Sequence, residues 1–220
     1  MPVSKDVLTK ALADVRAKTE KRKFTQSIEL AVKLRELDLK RPESRINENL
    51  ELPTPPDKDL KVCVIAGGDL ATRARSAGAD MVIGREDLEK VGREKKEARK
   101  IANSYDFFVA EAPLMPLVGR TLGQILGPRG KMPTPIPPTA QIDEVIKRHR
   151  RNVRLKMKDQ QVIQCKVGTE DMADDLLVQN IQTVISRLEA KLEKGPKNIS
   201  SIMLKETMGP LVKVPMTREA

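Results

Sequence analysis

Lys21, Arg22 and Lys23 stand directly before Phe24, one of only three phenylalanines in a chain of 220 residues. Cations beside an aromatic ring can meet phosphate while the ring packs on a ribose or a base. Near the other end, TMGP (207–210) is a tight-turn sequence with a second set of useful groups. Gly209 has no side chain, so another backbone can approach it closely. The Thr207 hydroxyl can pair with a ribose 2′-hydroxyl, and Met208 can pack on a sugar or base face. Each stretch also has a plain structural explanation. Phe24 opens a period-two apolar row, so it can be a buried strand residue among solvated lysines. TMGP can be an ordinary hairpin turn. The residues alone leave both open.

Other patterns invite enzymatic readings and fail on spacing. A dinucleotide-binding G-x-G-x-x-G starting at Gly67 meets Asp69 and Thr72 where glycines are required. A phosphate-binding loop ending at Gly130-Lys131 needs glycine at 125 and Ser or Thr at 132, where Ile125 and Met132 stand. GPRGK (127–131) then reads as a rigid loop exposing Arg129 and Lys131, in contact with RNA or simply solvated. His149, the sole histidine, sits in the basic run KRHRR and reads as a solvated helix end. No His, Cys and carboxylate set has metal-ligand spacing. No catalytic residue, cofactor or metal is assigned. The strand–glycine–helix pattern at 61–72 keeps a nucleotide-dependent enzyme as the competing reading.

Composition bounds the partner. Lys and Arg number 41 against 31 Asp and Glu, a net charge of +10. So basic a surface favours a polyanion, because neutralising phosphates releases condensed counterions. Aromatics are 2 % of the residues, which excludes a platform of many stacked bases and favours contacts to sugar, phosphate and RNA shape. Cys63 and Cys165 lie in apolar strand patterns and read as buried thiols of a reducing compartment. The first residues lack the apolar core of a signal peptide, and no stretch approaches a membrane span. A soluble intracellular protein is expected.

These groups need elements to hold them. Val3, Val7, Leu8, Ala11, Leu12 and Val15 mark one helical face over 3–18. In KRKFTQSIELAVKL (21–34), Phe24, Ile28, Leu30, Val32 and Leu34 share a strand face, with Gln26 the polar exception. RPESRINENLELPTPPDKD (41–59) reads as loop and linker. The style then changes. KVCVIAGG (61–68), MVIG (81–84) and DFFVAEAP (106–113) are apolar strands alternating with helices, the pattern of a parallel two-sided sheet. A charged helix runs through 91–105. A Gly/Pro-rich loop (119–138) and a short helix, QIDEVIKRHR, follow. From 152 the first style returns, with two strands joined at Lys158–Gln160. A long helix carries Met172, Leu176, Leu177, Ile181, Val184, Ile185, Leu188 and Leu192, and Gly195 and Pro196 stop it. A strand, the TMGP turn and a final strand end the series. The predicted class is α/β and α+β in two domains. A discontinuous α+β domain comes from 1–57 and 152–220, and 58–151 is inserted, with a hinge at the two connections.

KFTQSIELAVKL, LGQILGPRGKMPTP and SSIMLKETMGP together resemble the large-subunit ribosomal protein one family (L-one), archaeal in style, over nearly the whole chain. That family is the protein of the mobile stalk beside the tRNA exit site. The resemblance implies an inserted three-layer Rossmann-like domain and a first domain that grips a helical region of large-subunit rRNA. It places RNA contacts on Phe24, Ser201, Thr207, Met208 and Gly209, with Lys23, Ser27 and Glu29 on the adjoining strand. Glu206, beside the turn, is then bonded to an RNA donor or faces water. The resemblance further implies movement with deacylated tRNA as it leaves. It implies repression of the protein's own mRNA, contacts with other ribosomal components, a monomer when free, and a cytoplasmic, ribosome-associated location.

Overall fold

The structure is a computed structural model that describes residues 3–37, 46–56, 60–157 and 160–216. Backbone contacts divide the chain into two compact units, 1–57 with 151–220, and 58–150.

In the first unit, helix α1 (Lys5–Lys18) buries Leu8, Ala11, Leu12 and Val15, the expected face. Ser4 holds the N-cap position in extended conformation without a side-chain cap bond. Strand β1 is Ser27–Leu34. It runs antiparallel to β8 (Val162–Thr169) on one side and β9 (Ile199–Glu206) on the other, with β10 (Val212–Val214) beyond β9. Alternation sends Ile28, Leu30, Val32 and Leu34 into one core with α1 and helix α8 (Asp174–Lys191). Each such fully buried aliphatic stabilises by about 1.5–3 kcal/mol. The other sheet face carries Glu29 opposite Lys166 and Lys205, Ala31 opposite Gln164 and Met203, and Lys33 opposite Ser201. Lys213 adds a further cation across from Met203.

Several expectations change here. β1 begins at Ser27, so Phe24 lies before the strand and does not start its apolar row. Part of the supposed linker is a strand: β2 (Asn47–Glu51) pairs antiparallel with β7 (Asn152–Lys156). Its neighbours 41–45 and 57–59 lie outside the described residues, as do Lys158 and Asp159 of the expected hairpin joint. β7 and β8 do follow one another, but they pair with β2 and β1 rather than with each other. Leu176 is exposed on α8, because the helix turns that position away from the core.

In the second unit, β3 (Val62–Ile65), β4 (Met81–Ile83), β5 (Phe107–Glu111) and β6 (Thr134–Ile136) form a parallel sheet in the order β4-β3-β5-β6. Helices α2 (Gly68–Ser76) and α7 (Ile142–Arg151) pack on one face. Helices α3 (Arg85–Arg93), α4 (Lys95–Ser104), α5 (Met115–Thr121) and α6 (Gly123–Arg129) pack on the other. Val62–Ile65 is buried on both sides, as a continuous apolar run in a parallel sheet requires.

The charged helix expected over 91–105 is two helices, because Glu94 adopts extended φ/ψ between α3 and α4. Most of the expected loop at 119–138 is helix and strand. Val118, Leu122 and Leu126 recur every four residues and are buried, and that spacing outweighs the glycines between them. Pro116 sits in a first turn, where no amide donor is needed, and Gly130, with φ 69°, closes α6. Only Arg129 of the GPRGK cations is freely presented. Lys131 Nζ donates to the Ala102 and Tyr105 carbonyls at 3.1 and 2.6 Å, tying the segment to the end of α4. His149 is buried rather than solvated, its ring centroid 5.8 Å from that of Phe107. Burial, with help from Arg148, lowers its pKa. Both cysteines are free and buried, and burial pushes each thiol up to about 12.

Candidate nucleic-acid interface

The two chemically interesting stretches meet in the first unit. Antiparallel pairing of β1 with β9 sets Ile28 opposite Glu206, so the TMGP turn falls beside the residues that precede β1. Three backbone N–H donors join them. Thr207 N–H donates to the Ser27 carbonyl at 3.1 Å. Ser27 N–H donates to Thr207 Oγ1 at 3.0 Å. Met208 N–H donates to Gln26 Oε1 at 3.1 Å. Within the turn, Gly209 N–H donates to the Glu206 carbonyl at 3.0 Å.

Gln26 is the centre of this arrangement, and it is 0 % exposed. Its Nε2 donates to the Glu20 carbonyl at 3.1 Å and reaches Glu170 Oε2 at 3.5 Å and Glu206 Oε2 at 3.4 Å. Its backbone N–H donates to Glu170 Oε1 at 3.0 Å. A buried amide so well paired is inexpensive, whereas the same amide with a partner removed is not. Arg16 fixes the other end of the frame: it donates to the Glu170 and Met172 carbonyls and pairs with Asp174 at 2.9 Å.

Glu206 does not face water. It is buried under the turn, because the β9 alternation points it the same way as Leu204 and Ile202. Burial, then the charge of Glu170, raises its pKa, against the opposing pull of Arg16 and a hydrogen bond with Thr19. Gly209 lies directly over Thr19. A Cβ there would drive into Thr19 Oγ1 and come within 3.2 Å of Thr19 Cβ. The glycine is therefore required by the protein's own packing.

The outer surface differs in kind. Phe24 is 51 % exposed, Met208 60 % and Leu211 53 %, three of the five large hydrophobics that stand exposed among the described residues. Lys21 and Lys23 are exposed beside Phe24, and Arg22 pairs with Glu20 at 3.3 Å. Ser27 and Glu29 are partly exposed on the sheet face that also holds Lys33, Lys205 and Lys213. Ser201 lies on that face too, but it is buried, a short residue paired with the longer Lys33. The structure thus brings Phe24, Ser27, Thr207, Met208 and Gly209 together at one end of the sheet. Gln26, Thr19 and Leu211 were not legible as site residues. A glutamine in the period-two register of an apolar row is the signal that could have found Gln26.

In the second unit, the nucleotide pattern is answered by an internal contact. Gly67 N–H donates to Glu111 Oε2 at 3.0 Å, so that amide is already engaged by a carboxylate of the chain. Among the described residues, no group of three or more His, Cys, Asp or Glu is placed to hold a metal ion. No described helix is long and apolar enough to cross a membrane.

Comparison with known proteins gives a consistent answer. A curated relative from Methanothermobacter thermautotrophicus, named large ribosomal subunit protein uL1, is 47 % identical over 193 residues, 88 % of this chain and 91 % of that one. Proteins of the same name match from Thermofilum pendens, at 50 % identity over 89 % of this chain and 86 % of that one, and from Pyrococcus abyssi, at 44 % over 97 % and 98 %. The model of the ribosomal protein L1p/L10e family, a family of ribosomal proteins and not of enzymes, matches residues 16–210, and the chain belongs to that family.

Proposed function

We propose that this protein is a constituent of the large ribosomal subunit that binds large-subunit rRNA at the mobile stalk near the tRNA exit site. The RNA surface consists of Phe24, Lys23, Ser27, Glu29, Ser201, Thr207, Met208 and Gly209. The observation that carries this reading is the exposure of Phe24, Met208 and Leu211 around a turn that the buried Gln26 network holds rigid. A soluble protein gains nothing for its own fold by holding three large apolar side chains in water. Set beside the lysines of the sheet face, they suit sugar and base contact flanked by phosphate contact.

Two further roles belong to the same proposal. Bending between the two units, as domains joined at residues near 57 and 151, lets the stalk follow deacylated tRNA as it leaves. The free protein, a monomer, represses translation of its own mRNA by binding a copy of the rRNA site on the same surface.

The direct test titrates the full chain against an rRNA stalk fragment. Phe24→Ala with Met208→Ala should weaken binding at least tenfold while leaving the circular dichroism spectrum unchanged. Wild-type affinity in that variant would overturn the surface assignment. Failure of the protein to co-sediment with large subunits would overturn the ribosomal role.

A further inference from the structure

Asn180 is an amide in an apolar row. Its neighbours on α8, Leu177, Ile181 and Val184, are buried, and Asn180 itself is 0 % exposed. An amide in such a place is costly unless its polar atoms are paired. Two of its hydrogen bonds go to one residue of a distant segment. Thr54 N–H donates to Asn180 Oδ1 at 3.1 Å, and Asn180 Nδ2 donates to the Thr54 carbonyl at 3.1 Å. Nδ2 also donates to the Val167 carbonyl of β8 at 2.8 Å. The side chain thus grips Thr54 as a neighbouring strand would, by its N–H and its carbonyl together.

The gripped segment is where the chain leaves the first unit, whose opening stretch ends at Asp57. Pro53, Pro55 and Pro56 have no amide hydrogen, so Thr54 is the one backbone donor from 53 to 56. Upstream, β2 is already fixed. It pairs with β7, and its Glu48 accepts from Arg187 Nε and Nη2 at 3.1 Å and from Lys191 Nζ at 2.9 Å. Leu52 is buried and donates its N–H to the Arg151 carbonyl at 3.0 Å, which joins the outgoing chain to the returning one. Asn180, Arg187 and Lys191 are seven and four residues apart, so they share one side of α8. Together they lay the outgoing chain along the helix as a strap. Among the described residues, Asn180 is the last side chain that anchors it.

We infer that Asn180 is a positioning residue for the bending proposed above: by clasping Thr54 it fixes where the outgoing connection begins. The inference rests on that bending. A proline-rich segment is stiff along its own length, but it swings freely if its root is loose. The clasp holds the root, so the stiffness of the connection is set on α8 and not by proline content alone. Without it the chain is released back to Leu52, which adds Pro53 to Pro56, up to about 10 Å of reach.

The test uses the full chain with spin labels at Lys96→Cys and Lys197→Cys, both exposed positions, while the native thiols are buried. Double electron–electron resonance then gives the spread of distances between the two units. Asn180→Leu keeps most of the volume, removes the clasp and should widen the spread. Thr54→Pro removes only the donor and leaves α8 untouched, so it serves even if the leucine variant does not fold. It also adds a proline. Stiffness from proline content predicts a narrower spread in Thr54→Pro, whereas loss of the clasp predicts a wider one. An unchanged or narrower spread would overturn the proposal. Hydrogen exchange at the Thr54 amide tells two failures apart. That amide should be protected in the parent and should exchange about tenfold faster in Asn180→Leu, the scale of one lost buried hydrogen bond. A protected amide with the same narrow spread in parent and variants would sink the bending, and the proposal with it. A Thr54 amide exchanging at the unprotected rate in the parent would sink the clasp itself.

Discussion

Met208 N–H and Gln26 Oε1 lie 3.1 Å apart, although 182 positions separate the two residues in sequence. The bond ties the exposed tip of the TMGP turn to a side chain in the core. It explains how an exposed methionine can have a fixed place: its backbone is anchored from below while its side chain remains free.

Gln26→Leu should therefore damage both fold and binding. The leucine fills similar volume but leaves the Met208 N–H without its acceptor and two carboxylates without their shared donor. The expected loss is about 2–4 kcal/mol, the range of a broken buried network. Urea unfolding measures it. A variant within 0.5 kcal/mol of the parent would mean the network contributes little.

Gly209→Ala should misplace the turn, because the new methyl collides with Thr19. Thr19→Ala removes the nearest atom but leaves its Cβ 3.2 Å away, so the double variant should recover only part of the lost RNA affinity. Full additivity of the two single effects would show that the clash is not what disables the turn.

Glu206 gives a pH signature with a definite sign. Its folded-state pKa lies above the ordinary 4.5, through burial first and Glu170 second. The folded protein thus holds a proton that the unfolded chain has released, and stability falls as pH rises from about 4.5 through the raised value. Glu206→Gln removes this dependence while keeping the shape. Its stability relative to the parent should increase from pH 4 to pH 7 in parallel denaturation curves. A constant difference would place the titrating group elsewhere.

Much of this architecture was legible because one rule dominated locally. Ile28 to Leu34 alternate, Leu177 to Leu188 keep helical spacing, and Val62–Ile65 is uniformly apolar, so each buried pattern named its element. The turn at TMGP was legible as a turn and as a place for close approach. What stayed hidden depends on contacts distant in sequence. Asn47–Glu51 is a strand only because Asn152–Lys156 lies beside it. Glu206 keeps step with Ile202 and Leu204 in β9, but a side chain packed against it, Gln26, comes from a distant segment. In α5 and α6 the glycine and proline signals were read over the four-residue spacing of Val118, Leu122 and Leu126, and burial decided the outcome.

Thr207 and Phe24 separate support from contact. Thr207 Oγ1 already accepts the Ser27 N–H, so Thr207→Ala should cost about 1 kcal/mol of stability as well as RNA affinity. Thr207→Ser keeps the oxygen and should retain most of both. Phe24 is half in water and lies before the strand, so Phe24→Ala should leave the unfolding midpoint unchanged. Its cost should appear only in RNA binding, at about 1–3 kcal/mol, the scale of one lost ring-stacking contact. Anisotropy titration with the stalk fragment and thermal unfolding of the same samples distinguish the two. A Phe24→Ala protein that melts early but binds normally would reverse the roles assigned to these residues.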